Sequence, residues 1–173
     1  MKQLLIASLS LLLAGCLGMP DKVEPVSGFE LQRYLGKWYE IARLDHSFER
    51  GMSRVTAEYS LRDDGGVDVV NRGYLAGDDE WKQAEGKAYF VDSPEQGYLK
   101  VSFFGPFYGS YVVFELEQKD YRYAFVSGPD LSYLWLLSRT PQLPPEVIER
   151  FVERAAALGF DTDKLIFVEQ DGE

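Results

Sequence analysis

The run Arg54-Val55-Thr56-Ala57-Glu58-Tyr59-Ser60-Leu61-Arg62, followed by Asp63-Asp64-Gly65-Gly66, decides the fold. Val55, Ala57, Tyr59 and Leu61 alternate with polar neighbours, and a period of two places them on one face of a strand. The acidic, glycine-rich tetrapeptide is a tight-turn signal, and residues 67–74 resume the extended pattern, so the two runs predict a hairpin. Similar runs lie at 38–45, 80–91, 98–104, 111–117, 121–127 and 132–139. Turn-rich breaks separate most of them, among them Ala76-Gly77-Asp78-Asp79, Ser93-Pro94-Glu95-Gln96-Gly97 and Gly128-Pro129-Asp130. Eight short strands with short connections describe an all-β antiparallel meander, and eight strands can close into a barrel wide enough for one small ligand.

One helix interrupts the pattern. Pro144 and Pro145 open it, and Glu146 suits its positive N-terminal end. Val147, Ile148, Phe151, Val152, Ala155 and Leu158 form an apolar stripe, and Gly159 suits the C-cap. The expected fold is an eight-stranded up-and-down barrel with this C-terminal helix packed outside. Residues 164–170 are expected to add a final edge strand.

Composition removes several function classes. The chain of 173 residues has 28 acidic against 18 basic side chains, a formal charge of -10. A nucleic-acid binder needs the opposite balance. A single Cys excludes an intramolecular disulfide, and a single His excludes zinc sites built on two imidazoles. Asp63-Asp64 and Asp78-Asp79-Glu80 sit in turns, where acidic residues are common, and neither has calcium-loop spacing. His46 is the one candidate histidine base or haem ligand, and no nucleophile motif surrounds it. No enzyme activity, metal or cofactor is expected.

The N-terminus reads as an address. Lys2 precedes an apolar stretch at 4–13, too short to span a bilayer but suited to a signal peptide. Leu13-Ala14-Gly15-Cys16 resembles the bacterial lipobox, whose Cys is lipidated and becomes the mature N-terminus. Residues 1–15 would then be cleaved, residues 16–27 would be the lipidated terminus and tether, and residues 28–173 the barrel domain. The ten residues from Leu17 to Val26 reach at most about 35 Å. Leu17, in the place where inner-membrane lipoproteins typically carry Asp, implies sorting to the outer membrane of a Gram-negative envelope.

Strand parity supplies a test of closure. Trp38 starts the first strand and Arg139 ends the eighth, so closure brings both to the same end, guanidinium over indole. Gly36-Lys37-Trp38-Tyr39-Glu40 resembles the Gly-x-Trp signature of lipocalins, and Leu137-Ser138-Arg139 resembles their closing arginine motif. The stretches at 34–43, 59–66, 101–109 and 128–141 are similar to bacterial members of the family. The family's middle Thr-Asp-Tyr motif is degenerate here, with Leu116-Glu117-Gln118-Lys119-Asp120-Tyr121 as the nearest segment. The resemblance implies binding of small hydrophobic molecules. For bacterial members these are fatty acids or lysophospholipids, stored or transported during envelope maintenance or stress. Gly36, Trp38 and Arg139 are structural in this reading.

Alternation nominates the lumen. Val55, Ala57, Tyr59 and Leu61 come from strand two, and Ala84, Gly86, Ala88 and Phe90 from strand four, where small residues leave space. Leu99, Val101 and Phe103 come from strand five. On strand six, Tyr111 and Val113 compete with Val112 and Phe114 for the inside. Parity places the loops at 46–53, 75–79, 105–110 and 128–131 at the open end. His46, Arg50 and Arg54 there are candidates to attract a carboxylate or phosphate headgroup, with solvated loop charges as the alternative. Phe107 and Tyr108 make one loop unusually aromatic. A gate, a membrane contact, a homodimer contact and local self-packing all fit that loop. A barrel filled by its own side chains, in a structural lipoprotein without ligand, is the rival to a binding lumen. A lipid-modifying enzyme is a weaker one.

Overall fold

A computed structural model describes residues 17–170. Eight strands follow in meander order: β1 (Gly36–Leu44), β2 (Met52–Leu61), β3 (Val67–Leu75), β4 (Glu80–Phe90), β5 (Tyr98–Phe104), β6 (Phe107–Leu116), β7 (Tyr123–Ser127) and β8 (Leu134–Ser138). Each pairs antiparallel with the next, and β8 pairs with β1. Trp38 opposite Ala57 and Gly36 opposite Tyr59 complete the ring between β1 and β2. The barrel is closed.

Closure between β1 and β2 covers only the end holding Gly36–Tyr39. Toward the other end the two strands separate, and the C-terminal segment enters the gap. Strand β9 (Leu165–Phe167) pairs with Ala42–Leu44 of β1, while the Arg54 N–H donates to Glu169 O. Gln170 Nε2 donates to Glu40 O and Val55 O, both at 2.8 Å. The segment expected as an edge strand is therefore shorter than 164–170 and acts as a wedge completing the wall. The unpaired backbone of two diverging strands draws it in.

Helix α2 (Pro145–Leu158) packs outside the barrel as its stripe requires. Phe151, Ala155 and Leu158 are buried against Phe114, Phe125 and Leu136, and Gly159 ends the helix at φ +98 in the left-handed region. A short helix α1 (Leu31–Tyr34), which alternation did not reveal, precedes β1 and lies under the barrel. Two cores result, one between barrel and α2 and one inside the barrel above α1.

The expectation of a free tether needs correction. Val23 is buried in the outer core with Phe114 and Phe160. The Val26 N–H donates to Val113 O at 2.9 Å, and the Gly97 N–H donates to Val26 O at 2.9 Å. Ser27 bridges to Gln96. Val23, Val26 and Phe29, at three-residue spacing, offer enough apolar surface to hold this strap on the wall.

Candidate functional site

Arg139 and Trp38 meet as strand parity demands, with the guanidinium carbon 3.9 Å from the indole centroid. Arg139 also donates to Arg33 O at 2.7 Å and Lys37 O at 2.9 Å, so it ties α1 to the end of the barrel. Trp38 is fully buried and donates from Nε1 to Tyr34 O at 2.8 Å. Gly36 has φ +92, and a Cβ there would lie 3.5 Å from Arg139 Nη1; glycine meets the backbone conformation this turn into β1 requires. Together these residues and the Phe29–Phe90 ring pair close one end.

Above this floor is a cavity of about 400 Å³, open toward the loops that follow β1, β5 and β7. That volume lies within the range of small-molecule sites, and the barrel is not filled by its own side chains. Val55, Ala57, Tyr59, Ala88, Leu99, Val101, Phe103 and Tyr111 line it. Val113 is fully buried in the inner core beneath it, and Phe90 packs into the floor. Strand six therefore turns Tyr111 and Val113 inward. Val112 and Phe114 face α2, and a register shift between Val113 and Glu115 follows.

Leu61 keeps the inward register, opposite Val67, but lies past the floor and is 51% exposed, so it is no lumen residue. Ala84 pairs with Asn71 and lines a second, mouthward cavity shared with Phe48, Glu49 and Val55. Gly86 does not leave lumen space as expected. A Cβ there would lie 2.8 Å from the Phe103 ring, so the glycine makes room for that ring.

The mouth residues divide. Phe107 and Tyr108 line the cavity opening. Arg50 is at the mouth and pairs with Asp45 at 2.8 Å. Arg54 lies 3.9 Å over the Tyr74 ring and lines neither cavity. His46 is buried and does not line either one. It stacks on Phe48 at 4.0 Å with Trp135 at 5.1 Å, and burial lowers its pKa to about 4, so it is neutral at pH 7. Its Nε2 lies 3.2 Å from Glu49 Oε2, out of line for a hydrogen bond. The expectation of His46 and Arg54 as headgroup contacts is therefore replaced by packing roles.

Two polar groups in the wall were missed. Tyr34 and Tyr59 hydroxyls flank that of Tyr111 at 2.7 and 2.9 Å. Burial pushes all three phenols upward, so they stay neutral. Three hydroxyl protons and two mutual bonds leave one donor for the lumen. The second group is Glu40, Arg43 and Glu49. Arg43 Nη1 donates to Glu40 Oε1 at 2.7 Å, Nη2 donates to Glu49 O at 2.9 Å, and Trp135 Nε1 donates to Glu49 Oε2 at 3.3 Å. Burial raises the pKa of both carboxyls, most strongly for Glu40, where the Glu49 carboxylate adds to it. Glu40 and Glu49 face the cavity, and among its described lining residues there is no Lys, Arg or His. A charged pair within the otherwise apolar run 38–44 was the available signal.

A closed meander barrel with an arginine-capped floor and an apolar, open lumen defines a carrier of small hydrophobic molecules. The chain belongs to the lipocalin family: residues 29–170 match the lipocalin-like domain. It is 63% identical over 170 residues to outer membrane lipoprotein Blc of Vibrio cholerae, covering 98% of this chain and 99% of that one. The corresponding protein of Escherichia coli K12 is 55% identical over 88% of this chain and 86% of its own. Apolipoprotein D of Bos taurus is 33% identical over 82% and 77%. Insecticyanin from the tobacco hornworm Manduca sexta shares the fold, with a TM-score of 0.69 at 24% identity, covering 88% and 86% of the two chains.

Proposed function

We propose that this protein is an outer-membrane lipoprotein that holds one single-chain lipid, a fatty acid or lysophospholipid, in its barrel for storage or transport during envelope maintenance or stress. The open apolar cavity above the Tyr34–Trp38 floor carries this reading. Each methylene moved from water into such a lumen contributes about 0.8 kcal/mol, so an acyl chain binds by burial and shape without covalent chemistry. It is a carrier and not an enzyme.

The anchor belongs to the same reading. Cleavage would remove residues 1–15 as a signal peptide, and Cys16, which lies outside the described residues, would carry the lipid. The 63% and 55% identical relatives, themselves named outer membrane lipoproteins, support the location. Several acyl chains are needed for a durable hold, since one anchors only marginally.

Native mass spectrometry of the acyl-free domain, titrated with palmitic acid and with palmitoyl lysophospholipid, tests the proposal. One saturable equivalent is the expected result. A lumen that stays empty against both lipids leaves a structural lipoprotein.

A further inference from the structure

The described chain begins at the mouth of the barrel. A Cβ on Gly18 would lie 3.9 Å from Pro129 O, and Pro129 belongs to the β7–β8 loop at the cavity opening. From there the strap descends the outer wall. Val26 bonds to Gly97 and Val113, Ser27 bridges Gln96, and the Phe29 N–H donates to Glu95 O at 2.9 Å. Residues 95–97 lie in the β4–β5 connection at the closed end. The strap thus runs the full height of the barrel, from mouth to floor.

Cys16 is two residues before Gly18. Two extended residues reach about 7 Å, far less than the strand length of roughly 30 Å that separates mouth from floor. An acyl group on Cys16 therefore holds the mouth, not the floor, against the bilayer.

The mouth has the surface for that contact. Phe104 is 79% exposed and Phe107 68%, and Phe48 and Leu131 stand exposed on neighbouring loops. Among the described residues, Leu61 is the one exposed large apolar side chain at the closed end. Basic residues of the rim are engaged locally: Arg50 with Asp45, Lys82 with Glu80, and Arg72 over the Trp81 ring. With a formal charge of -10 the chain has no electrostatic pull toward anionic lipid. The contact is apolar.

We infer that the barrel stands mouth-down on the bilayer holding its own anchor, with Phe48, Phe104 and Phe107 in the lipid interface and the lumen opening into it. This rests on the reading of Cys16 as the acylated residue. The consequence for transfer is direct. A chain leaving the bilayer enters the cavity without crossing water, so its methylenes are never exposed on the way.

The test uses the full acylated lipoprotein reconstituted into phosphatidylethanolamine–phosphatidylglycerol vesicles. Acylation occupies the chain's single Cys, so a nitroxide on Phe107→Cys or on Asp63→Cys, at the closed-end β2–β3 turn, is the only free-thiol label. Label depth is read by oxygen and nickel accessibility. The expected result is an oxygen-favoured, lipid-depth signal at 107, an aqueous signal at 63, and no change when salt is raised. A ten-residue Gly/Ser insert between Leu17 and Gly18 should return most of the 107 label to water while the protein still floats with vesicles.

Aqueous signals at both positions, or depth at 63, overturn the orientation while leaving the anchor intact. Protection at 107 that follows protein density and persists without lipid assigns the mouth to a second copy and overturns it too. A chain without acyl mass at Cys16 that fails to float overturns the anchor reading itself.

Discussion

The Arg139 guanidinium lies 3.9 Å above the Trp38 ring and donates to the carbonyls of Arg33 and Lys37. One side chain thus joins the last barrel strand, the first, and the helix beneath them. A half-buried cation–π contact contributes about 1 kcal/mol, and each charged hydrogen bond to a carbonyl about 1.5 kcal/mol. Arg139→Ala should lower stability by about 3 kcal/mol, measured as a shift in the urea midpoint at constant slope. Arg139→Lys keeps the charge but cannot span both carbonyls from a planar fork, and should recover less than half. Full recovery by lysine would mean that charge alone closes the floor.

His46 makes stability depend on pH. Its folded-state pKa is about 4, chiefly through burial, against an unfolded value near 6.5. Between these values the unfolded chain binds a proton that the folded chain refuses, so stability is lost as pH falls through that window. The buried carboxyls of Glu40 and Glu49 act oppositely. Their raised pKa values let the folded state keep protons that the unfolded state has released, a contribution lost as pH rises above the ordinary carboxylate range. His46→Phe preserves the stack on Phe48 and removes only the imidazole. Between pH 6.5 and 4 the parent should lose on the order of 2 kcal/mol more than this variant in parallel denaturant titrations. Equal losses would place the acid sensitivity elsewhere.

The parts of the molecule legible in sequence were those in which one residue's chemistry fixes its neighbour's position. Alternation at Val55–Leu61 fixes a face, and strand parity fixes that Trp38 and Arg139 share an end, because both follow from backbone geometry alone. The inner face of β6 was not legible, because Tyr111-Val112-Val113-Phe114 is apolar on both faces, one toward the lumen and one toward α2. The strap at Val23 and Val26 and the wedge at Gln170 were missed for a different reason. Their partners, Val113, Gly97, Glu40 and Val55, are distant in sequence, and irregular segments carry no period. His46 looked like a mouth charge because a loop histidine is usually wet; its burial arises from Phe48 and Trp135 closing over it.

Glu49 should weaken carboxylate ligands. It faces the lumen as an acid, and no basic side chain among the described lining residues offsets it. Arg43 contacts the Glu49 backbone carbonyl and the Glu40 carboxylate, so Glu49→Gln leaves the Arg43 bonds in place, and the amide oxygen can still accept from Trp135. Removing one like charge at an effective dielectric near 20 changes a carboxylate's binding by about 1 kcal/mol, roughly fivefold. Palmitic acid should bind the variant about fivefold tighter at pH 8, where Glu49 is more ionised, and less so at pH 5. A neutral acyl alcohol should be unaffected at either pH. Displacement of a fluorescent acyl probe reads all four affinities, and an equal gain for the alcohol would show that Glu49 acts by shape rather than charge.

Ala57 and Leu61 separate lumen from face. Both point inward in the β2 register, opposite Asn71 and Val67, yet Ala57 lines the cavity while Leu61 lies exposed below the floor. Ala57→Phe adds a ring to the space an acyl chain would occupy, without removing a hydrogen bond. It should reduce palmitic acid affinity at least tenfold while changing the thermal midpoint little, since the ring fills a void rather than overpacking a core. Leu61→Phe places the same ring on the same face four residues along and should leave affinity unchanged. Isothermal titration of both variants, with circular dichroism melts as the folding control, compares them directly. If the two substitutions weakened binding equally, the lipid would have to contact the outside of the closed end, and the lumen above Tyr34 and Trp38 would not be where the chain is held.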